Sequence, residues 1–257
     1  AIREEIIAPC AARSIPVYVE KPLTCRSEDL ARLLHLAAPV AARSVAGFMM
    51  RYHPAFRLLA GSDLSDIYRF AFEIGHDVTQ WRANWCFSRS YAARAEGGGV
   101  LLDLCHEIDM AACLFPGLTL DGVASLGHPS FPGVDMASRV ALTLPGRASG
   151  VVAMDYLAPV PVRRIALRGC ARVHDLDLIA GRGEVAGAGA RALDLMCERN
   201  DMFLALMRDF LALVAGRAPP SGNPHLPRLD RIGESCALIA RAWESRRFVG
   251  TIGKEIA

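Results

Sequence analysis

Residues 97–109 read Gly97-Gly98-Gly99-Val100-Leu101-Leu102-Asp103-Leu104-Cys105-His106-Glu107-Ile108-Asp109. Three glycines run into an apolar helical stretch that carries an acid and an imidazole one turn apart. Positions three apart on a helix share a face, so Asp103 and His106 can act as a base and its orienting carboxylate. Glycine backbone can approach a ligand closely. A histidine suits proton transfer because its ordinary pKa, about 6.5, lies near working pH. Near the start, Glu20-Lys21-Pro22 adds a cation that can steady charge developing on a reacting oxygen. An enzyme site is the leading reading. The competing readings are a solvated strand-end Lys21, a core His106 with Asp103 as its hydrogen-bond partner, and a structural Asp109. A metal on Asp103, His106, Glu107 and Asp109 is a further alternative. Helical zinc sites usually pair histidines four apart, and this helix has no second histidine, so no metal is assigned.

These groups need a scaffold, and the hydrophobic pattern supplies one. Residues 2–13 read as an amphipathic helix. Residues 15–19 form a short apolar run typical of a buried parallel strand, ending at Glu20-Lys21-Pro22. Ser27 opens a second helix as its N-cap, with Leu30, Leu33, Leu34 and Ala37 on its apolar face. Residues 45–50 read as a second strand, with a short helix near 55–60. Helix–strand–helix–strand is the back half of a doubly wound α/β unit, which places ligands at the carboxyl ends of its strands. Strand pieces are expected at 67–72 and 81–87, and a helix over about 100–115. Further strands at 120–127, 137–144, 149–157, 162–169 and 172–178 suggest a mostly antiparallel sheet. Residues 181–189 read as a flexible Gly/Ala loop. A helix over 200–215 carries Met202, Phe203, Leu206, Met207, Phe210, Leu211 and Val214 as a core stripe. A last helix is expected near 230–246. The fold class is therefore α/β plus α+β, in two layers. Residues 1–51 form a remnant of a dinucleotide-binding unit. Residues 52–257 form a second domain with an open antiparallel sheet, and the last helix packs back on the first unit.

Composition narrows the classes. The chain has 257 residues, 52% hydrophobic and 22% charged, enough for a sizeable core. Its 29 basic and 27 acidic residues are well mixed, and aromatics make up 7%. Neither a nucleic-acid nor a membrane partner is expected. No apolar run approaches the roughly 20 residues of a spanning helix. The eight cysteines include no CxxC pair, which fits reduced thiols in a cytoplasmic protein.

Four landmarks now carry a resemblance. They are Val17-Tyr18-Val19-Glu20-Lys21-Pro22-Leu23; Gly47-Phe48-Met49-Met50-Arg51-Tyr52-His53-Pro54; Ser90-Tyr91-Ala92-Ala93-Arg94-Ala95-Glu96 leading into residues 97–109; and Arg199-Asn200-Asp201-Met202-Phe203. In this order, over essentially the whole chain, they resemble the Gfo/Idh/MocA oxidoreductases. That family transfers hydride between NAD or NADP and sugars or cyclitols. The third landmark is most similar to the branch acting on nucleotide- or acyl-amino sugars. The resemblance implies Lys21, Asp103 and His106 as catalytic residues, with Glu20, Lys21 and Pro22 at the cofactor. Many members space the Asp and His four apart, whereas here the spacing is three. His106 would take the hydroxyl proton, Asp103 would orient the imidazole or hold an adjacent hydroxyl, and Lys21 would steady the alkoxide. Arg51, His53, Trp81, Arg82 and Tyr91 are expected to line the sugar pocket. For each of them a packing or surface role competes. His35, His76, His128, His174 and His225 belong to no constellation. A homo-oligomer, dimer or tetramer, through the open sheet face is also implied.

One departure stands out. The family opens with a strand and a GxGxxG turn at a helix N-terminus, which cradles the pyrophosphate. No such turn lies near Ala1, and residues 181–189 do not sit between a strand and a helix. The expectation is a chain lacking the first part of the nucleotide fold and binding NAD(P) poorly. The alternative is a non-catalytic sugar-binding or dimerising remnant. An in-frame GxGxxG in the coding sequence upstream of Ala1 would favour the enzyme, and a stop codon there the remnant.

Overall fold

The computed structural model describes residues 2–81 and 85–256. In chain order the elements begin with α1 (Ile2–Ala12), β1 (Tyr18–Val19), α2 (Ser27–Ala37), β2 (Val45–Ala46), α3 (Pro54–Ala60) and β3 (Ile67–Gly75). After a loop of 3-10 turns come α4 (Val100–Asp103), α5 (His106–Leu114), β4 (Thr119–Gly127), β5 (Ala137–Leu144), β6 (Ala148–Asp155), β7 (Val162–Gly169), β8 (Arg172–Asp177), β9 (Arg182–Gly187) and β10 (Arg191–Asp194). The chain continues through α6 (Arg199–Val214), α7 (Gly233–Glu244) and β11 (Arg246–Thr251).

Two sheets organise these elements. β1 and β2 pair in parallel, Tyr18 opposite Val45. The other sheet has nine strands in the order β10-β9-β8-β7-β3-β6-β5-β4-β11. Its pairs are antiparallel except β3 with β6 and β11 with β4. Strand alternation decides which face is buried. Phe70, Phe72, Val140, Leu142, Val152, Met154, Ile165 and Leu167 are all 2% exposed or less. The residues between them, such as Arg69, Glu73, Arg139 and Ser149, turn outward. On the inner face α5 packs against β3 and β6, and Phe115 stacks on Phe70 at 4.6 Å. α7 lies against α2, α5 and β4. It thereby joins the helices beside the small sheet to those on the large one.

Several sequence expectations are corrected. The 15–19 and 45–50 strands shrink to two residues each, because Phe48 to Tyr52 leave the ladder for a 3-10 turn. Ser27 is not an N-cap; it is the first helical residue, and its N–H and hydroxyl donate to Glu244 at 2.7 and 2.6 Å. The expected 100–115 helix breaks at Leu104-Cys105 into α4 and α5. Residues 85–90 contain a 3-10 turn where strand was expected, and the rest of that segment includes residues outside the described ones. The Gly/Ala segment 181–189 contains β9, hydrogen-bonded between β8 and β10. The α6 stripe is only partly core: Met202 and Leu206 are buried, while Met207, Leu211 and Val214 are exposed. Its inner face is completed by Asp209, which receives the Tyr52 hydroxyl at 2.8 Å.

Candidate active site

β1 and β2 run the same way, so Glu20-Lys21 and Gly47 emerge together at their carboxyl ends. That is where open α/β sheets place ligands. Here a cleft of about 500 Å³ opens, lined by Glu20, Lys21, Gly47, His76, Trp81, Tyr91, Asp103, His106, Arg163 and Arg199, with further apolar residues. A Cβ on Gly47 would lie 2.8 Å from Glu20 Oε2, the far end of an exposed side chain. The Lys21 ammonium donates to the Asp103 backbone carbonyl and sits 3.8 Å from Asp103 Oδ1.

Gly98 and Gly99 shape the α4 entrance by close approach to the chain's own atoms. Gly99 has φ 93° and ψ 163°, a region open in practice only to glycine. A Cβ there would sit 2.0 Å from Asp135 Oδ1, and a Cβ on Gly98 would strike the carbonyls of Tyr91, Ala92 and Arg94. The close approach expected of these glycines is thus to Asp135 and to the 91–94 turn. Asp135 is fully buried. Its Oδ2 accepts from the Leu101 N–H and the Ser138 hydroxyl, both at 2.9 Å, its carbonyl accepts from the Val100 N–H, and it ion-pairs with Arg246. A carboxylate accepting at the first turn of a helix satisfies otherwise orphaned N–H groups.

Asp103 ends α4 with both oxygens engaged. Oδ1 accepts from Tyr91 at 2.7 Å and Oδ2 from Tyr156 at 2.8 Å. Tyr156 is buried, and its phenol is pushed well above its ordinary range by burial and by the Asp103 carboxylate, so it stays a donor. His106 opens α5 beyond the helix break. No hydrogen bond joins it to Asp103, so the expected orienting role of Asp103 is replaced by a tyrosine-held carboxylate beside Lys21. His106 is 7% exposed, and its Nδ1 is buried without a partner. Burial, and then the charges of Lys21, Arg163 and Arg199, hold its pKa well below 6.5. The imidazole is therefore neutral at pH 7, the form that can accept a proton.

The remaining expectations divide. Trp81 and Tyr91 line the cleft, and Trp81 stacks on His76 at 4.7 Å. Pro22 is not among the lining residues; the Lys21–Pro22 peptide is cis. Arg51 is corrected: it is 2% exposed and away from the cleft. Its Nε and Nη2 donate to Asp109 at 3.0 and 2.6 Å, and Nη2 also to Ser235 at 3.2 Å. Two parallel bonds to one carboxylate make this a forked structural pair. His53 is corrected likewise: it caps α3, its Nδ1 accepting from the Ala55 N–H at 3.1 Å, and burial lowers its pKa to about 4. Arg82 lies outside the described residues. The acids considered as metal ligands face different partners: Asp103 the tyrosines, Glu107 Arg163 at 2.6 Å, Asp109 Arg51. The sequence reading missed Tyr156, Arg163, Arg199 as a lining residue, and His76. Among the described residues no helix is long and apolar enough to cross a membrane.

No family model matches the chain. A curated relative, the trans-1,2-dihydrobenzene-1,2-diol dehydrogenase of Xenopus laevis, is 22% identical over 166 residues, 62% of this chain. The chain spans about half of that relative's length, 48%. Among solved structures it is similar to UDP-N-acetylglucosamine 3-dehydrogenase from Acidithiobacillus ferrooxidans, with TM-score 0.73, 17% identity, and 95% of this chain and 74% of that one covered. A 3-ketoreductase from Actinomadura kijaniata, solved with NADP and TDP-benzene, gives TM-score 0.76 at 17% identity, covering 97% and 76%. Levoglucosan dehydrogenase with NADH and levoglucosan gives 0.74 at 19%, covering 95% and 74%. At such identities the likeness is one of fold: the chain has the fold shared by these sugar oxidoreductases.

Proposed function

We propose that the chain belongs to a nicotinamide-dependent oxidoreductase of the Gfo/Idh/MocA type, acting on a hydroxyl of a sugar or sugar derivative. Residues 1–51 form the back half of its dinucleotide-binding domain, and residues 52–257 its substrate and oligomerisation domain. The observation that carries this reading is the meeting of Lys21 and His106, far apart in sequence, on one cleft at the carboxyl ends of two parallel strands. The structural relatives were solved with NADP or NADH, which makes NAD or NADP the expected cofactor.

The residues fit the nicotinamide end of such a cofactor. Glu20 and Lys21 border the space, and His106 Nδ1 has no hydrogen-bond partner among the described residues. When bound, the nicotinamide supplies the acceptor or donor of hydride. Neutral His106 accepts the hydroxyl proton in the oxidative direction and returns it in the reductive one. Lys21, held by the Asp103 carbonyl, faces the oxygen as charge develops on it. Asp103, clamped by two tyrosine hydroxyls, keeps Lys21 in place and presents Tyr91 to the substrate's neighbouring hydroxyls. The 257 residues hold no GxGxxG turn between a strand and a helix. Taken by themselves they are therefore proposed to bind the dinucleotide weakly. A homo-oligomer through the outward face of the nine-stranded sheet and a cytoplasmic setting complete the proposal; the cysteines of the described residues are all unpaired, in keeping with the latter.

The test is a panel of sugars and cyclitols with NAD or NADP, followed by the absorbance of reduced nicotinamide. Substrate-dependent reduction is expected for at least one sugar. With NAD or NADP supplied far enough in excess to offset weak binding, a folded protein that turns over no member of the panel in either direction would remove the reading.

A further inference from the structure

Three cations border the cleft, and they are not equally matched. Lys21 is answered by Asp103 at 3.8 Å. Arg163, on β7, donates through Nε to Glu107 Oε1 at 2.6 Å, while its Nη2 is buried with no partner. Glu107 is 1% exposed, so it anchors Arg163 from behind and offers no oxygen to a ligand in the cleft. Arg199, the first residue of α6, is exposed and has no ion-pair partner among the described residues; its guanidinium lies over Phe203 at 5.4 Å. The carboxylates at the cleft are two. Asp103 is saturated by Tyr91, Tyr156 and Lys21, and Glu20 accepts from the Tyr18 hydroxyl at 3.3 Å. Burial, and then Lys21, Arg163 and Arg199, push the His106 pKa down. A neutral sugar would leave the Arg199 guanidinium unanswered. Guanidinium forks are shaped to take carboxylate or phosphate oxygens in pairs.

On the premise of the oxidoreductase reading above, we propose that the substrate is an anionic sugar. Its carboxylate or phosphate lies against Arg163 and Arg199, and its reacting hydroxyl faces Lys21 and His106. Arg163 and Arg199 are then specificity-determining residues rather than parts of the proton path. Glu107 is a positioning residue that fixes the reach of Arg163.

Titration calorimetry on the protein without turnover tests this with three probes: glucuronate, glucose-6-phosphate and glucose. At least one anionic probe is expected to bind about tenfold or more tighter than glucose, with a preference that shrinks as salt rises. Tightening by glucuronate alone assigns a carboxylate, and by the phosphate alone a phosphate ester. Arg199→Gln, at an exposed position, should abolish most of that preference. Arg163→Gln made together with Glu107→Gln removes the buried acid with its counter-ion, and should act in the same direction in a folded protein. Equal affinity for all three probes, or a preference that survives both variants, overturns the inference. If neutral sugars are turned over in that case, the oxidoreductase reading stands without it. Absence of binding by any sugar, with no turnover, removes both.

Discussion

Replacing each of the three glycines with alanine, one at a time, should produce sharply unequal losses of stability. Gly97 has φ 78°, and a methyl group added there would meet open space, with nothing within 4 Å. Gly97→Ala therefore carries only left-handed strain, about 1–2 kcal/mol. Gly99 lies at φ 93° and ψ 163°, which is worth about 1–3 kcal/mol against any other residue. Its new methyl would also overlap Asp135 Oδ1, 2.0 Å away. Asp135 cannot retreat without loosening its bonds to Leu101, Ser138 and Arg246. Each hydrogen bond to a charged group is worth about 1.5–3 kcal/mol. Gly99→Ala should thus lose about 4 kcal/mol or more. Gly98→Ala should be comparably damaging, because three backbone carbonyls between 2.4 and 2.7 Å block it and backbone cannot swing aside. For a domain of this size about 2–4 °C of melting temperature follows each kcal/mol. Thermal melts followed by circular dichroism should place Gly97→Ala a few degrees below the parent and Gly99→Ala about 10 °C below or more. A Gly99→Ala protein melting with Gly97→Ala would refute the role given to Asp135.

Two further outcomes follow from buried charge. Arg51→Met should destabilise by about 3–5 kcal/mol by leaving Asp109 buried and unpaired, and adding Asp109→Leu should recover part of the loss; chemical denaturation that finds the double variant weaker than the single one contradicts this. The His53 pKa falls from 6.5 to about 4 on folding, so between those values the unfolded chain binds more protons and stability drops as pH drops. The His53 share should approach about 3 kcal/mol by pH 4, and His53→Asn, which preserves the cap on the Ala55 N–H, should reduce the slope of stability with pH by that share in denaturation curves, leaving the part that His106 contributes; an unchanged slope rejects the assignment.

Much of the fold can be read along the chain because period-two burial marks β3 to β8 directly. What escaped has local physical causes. The α4–α5 break at Leu104-Cys105 falls in a helix-forming stretch with no glycine or proline to announce it. β9 looks like a loop because it holds Gly183 and Gly187 and is flanked by Gly181 and Gly189, yet Gly183 is demanded by packing: a Cβ would lie 2.5 Å from Leu176 Cδ2. β11 is exposed along most of its length and pairs only with β4 at the sheet edge, so it has no alternation to detect. Within the site, Lys21, Asp103 and His106 could be picked out from type, spacing and flanking residues. Tyr156 and Arg163 could not, since Tyr156 reaches Asp103, and Arg163 the cleft, from a strand or its end whose register is set by distant partners. Arg51 misled because a buried forked arginine and a ligand-binding one leave the same trace in sequence. The triple glycine pointed to a close approach, but not to the Asp135 carboxylate that makes it.

The account stands on Lys21 and His106 sharing one reacting oxygen. The most direct test is steady-state turnover of the Lys21→Met and His106→Gln variants with a sugar that the parent oxidises, alongside their melting temperatures and their affinity for reduced cofactor. Each should lose about 100- to 10,000-fold in kcat, the range for a positioned acid–base group, while cofactor affinity and folding change little. Turnover near the parent's in both folded variants would contradict the site.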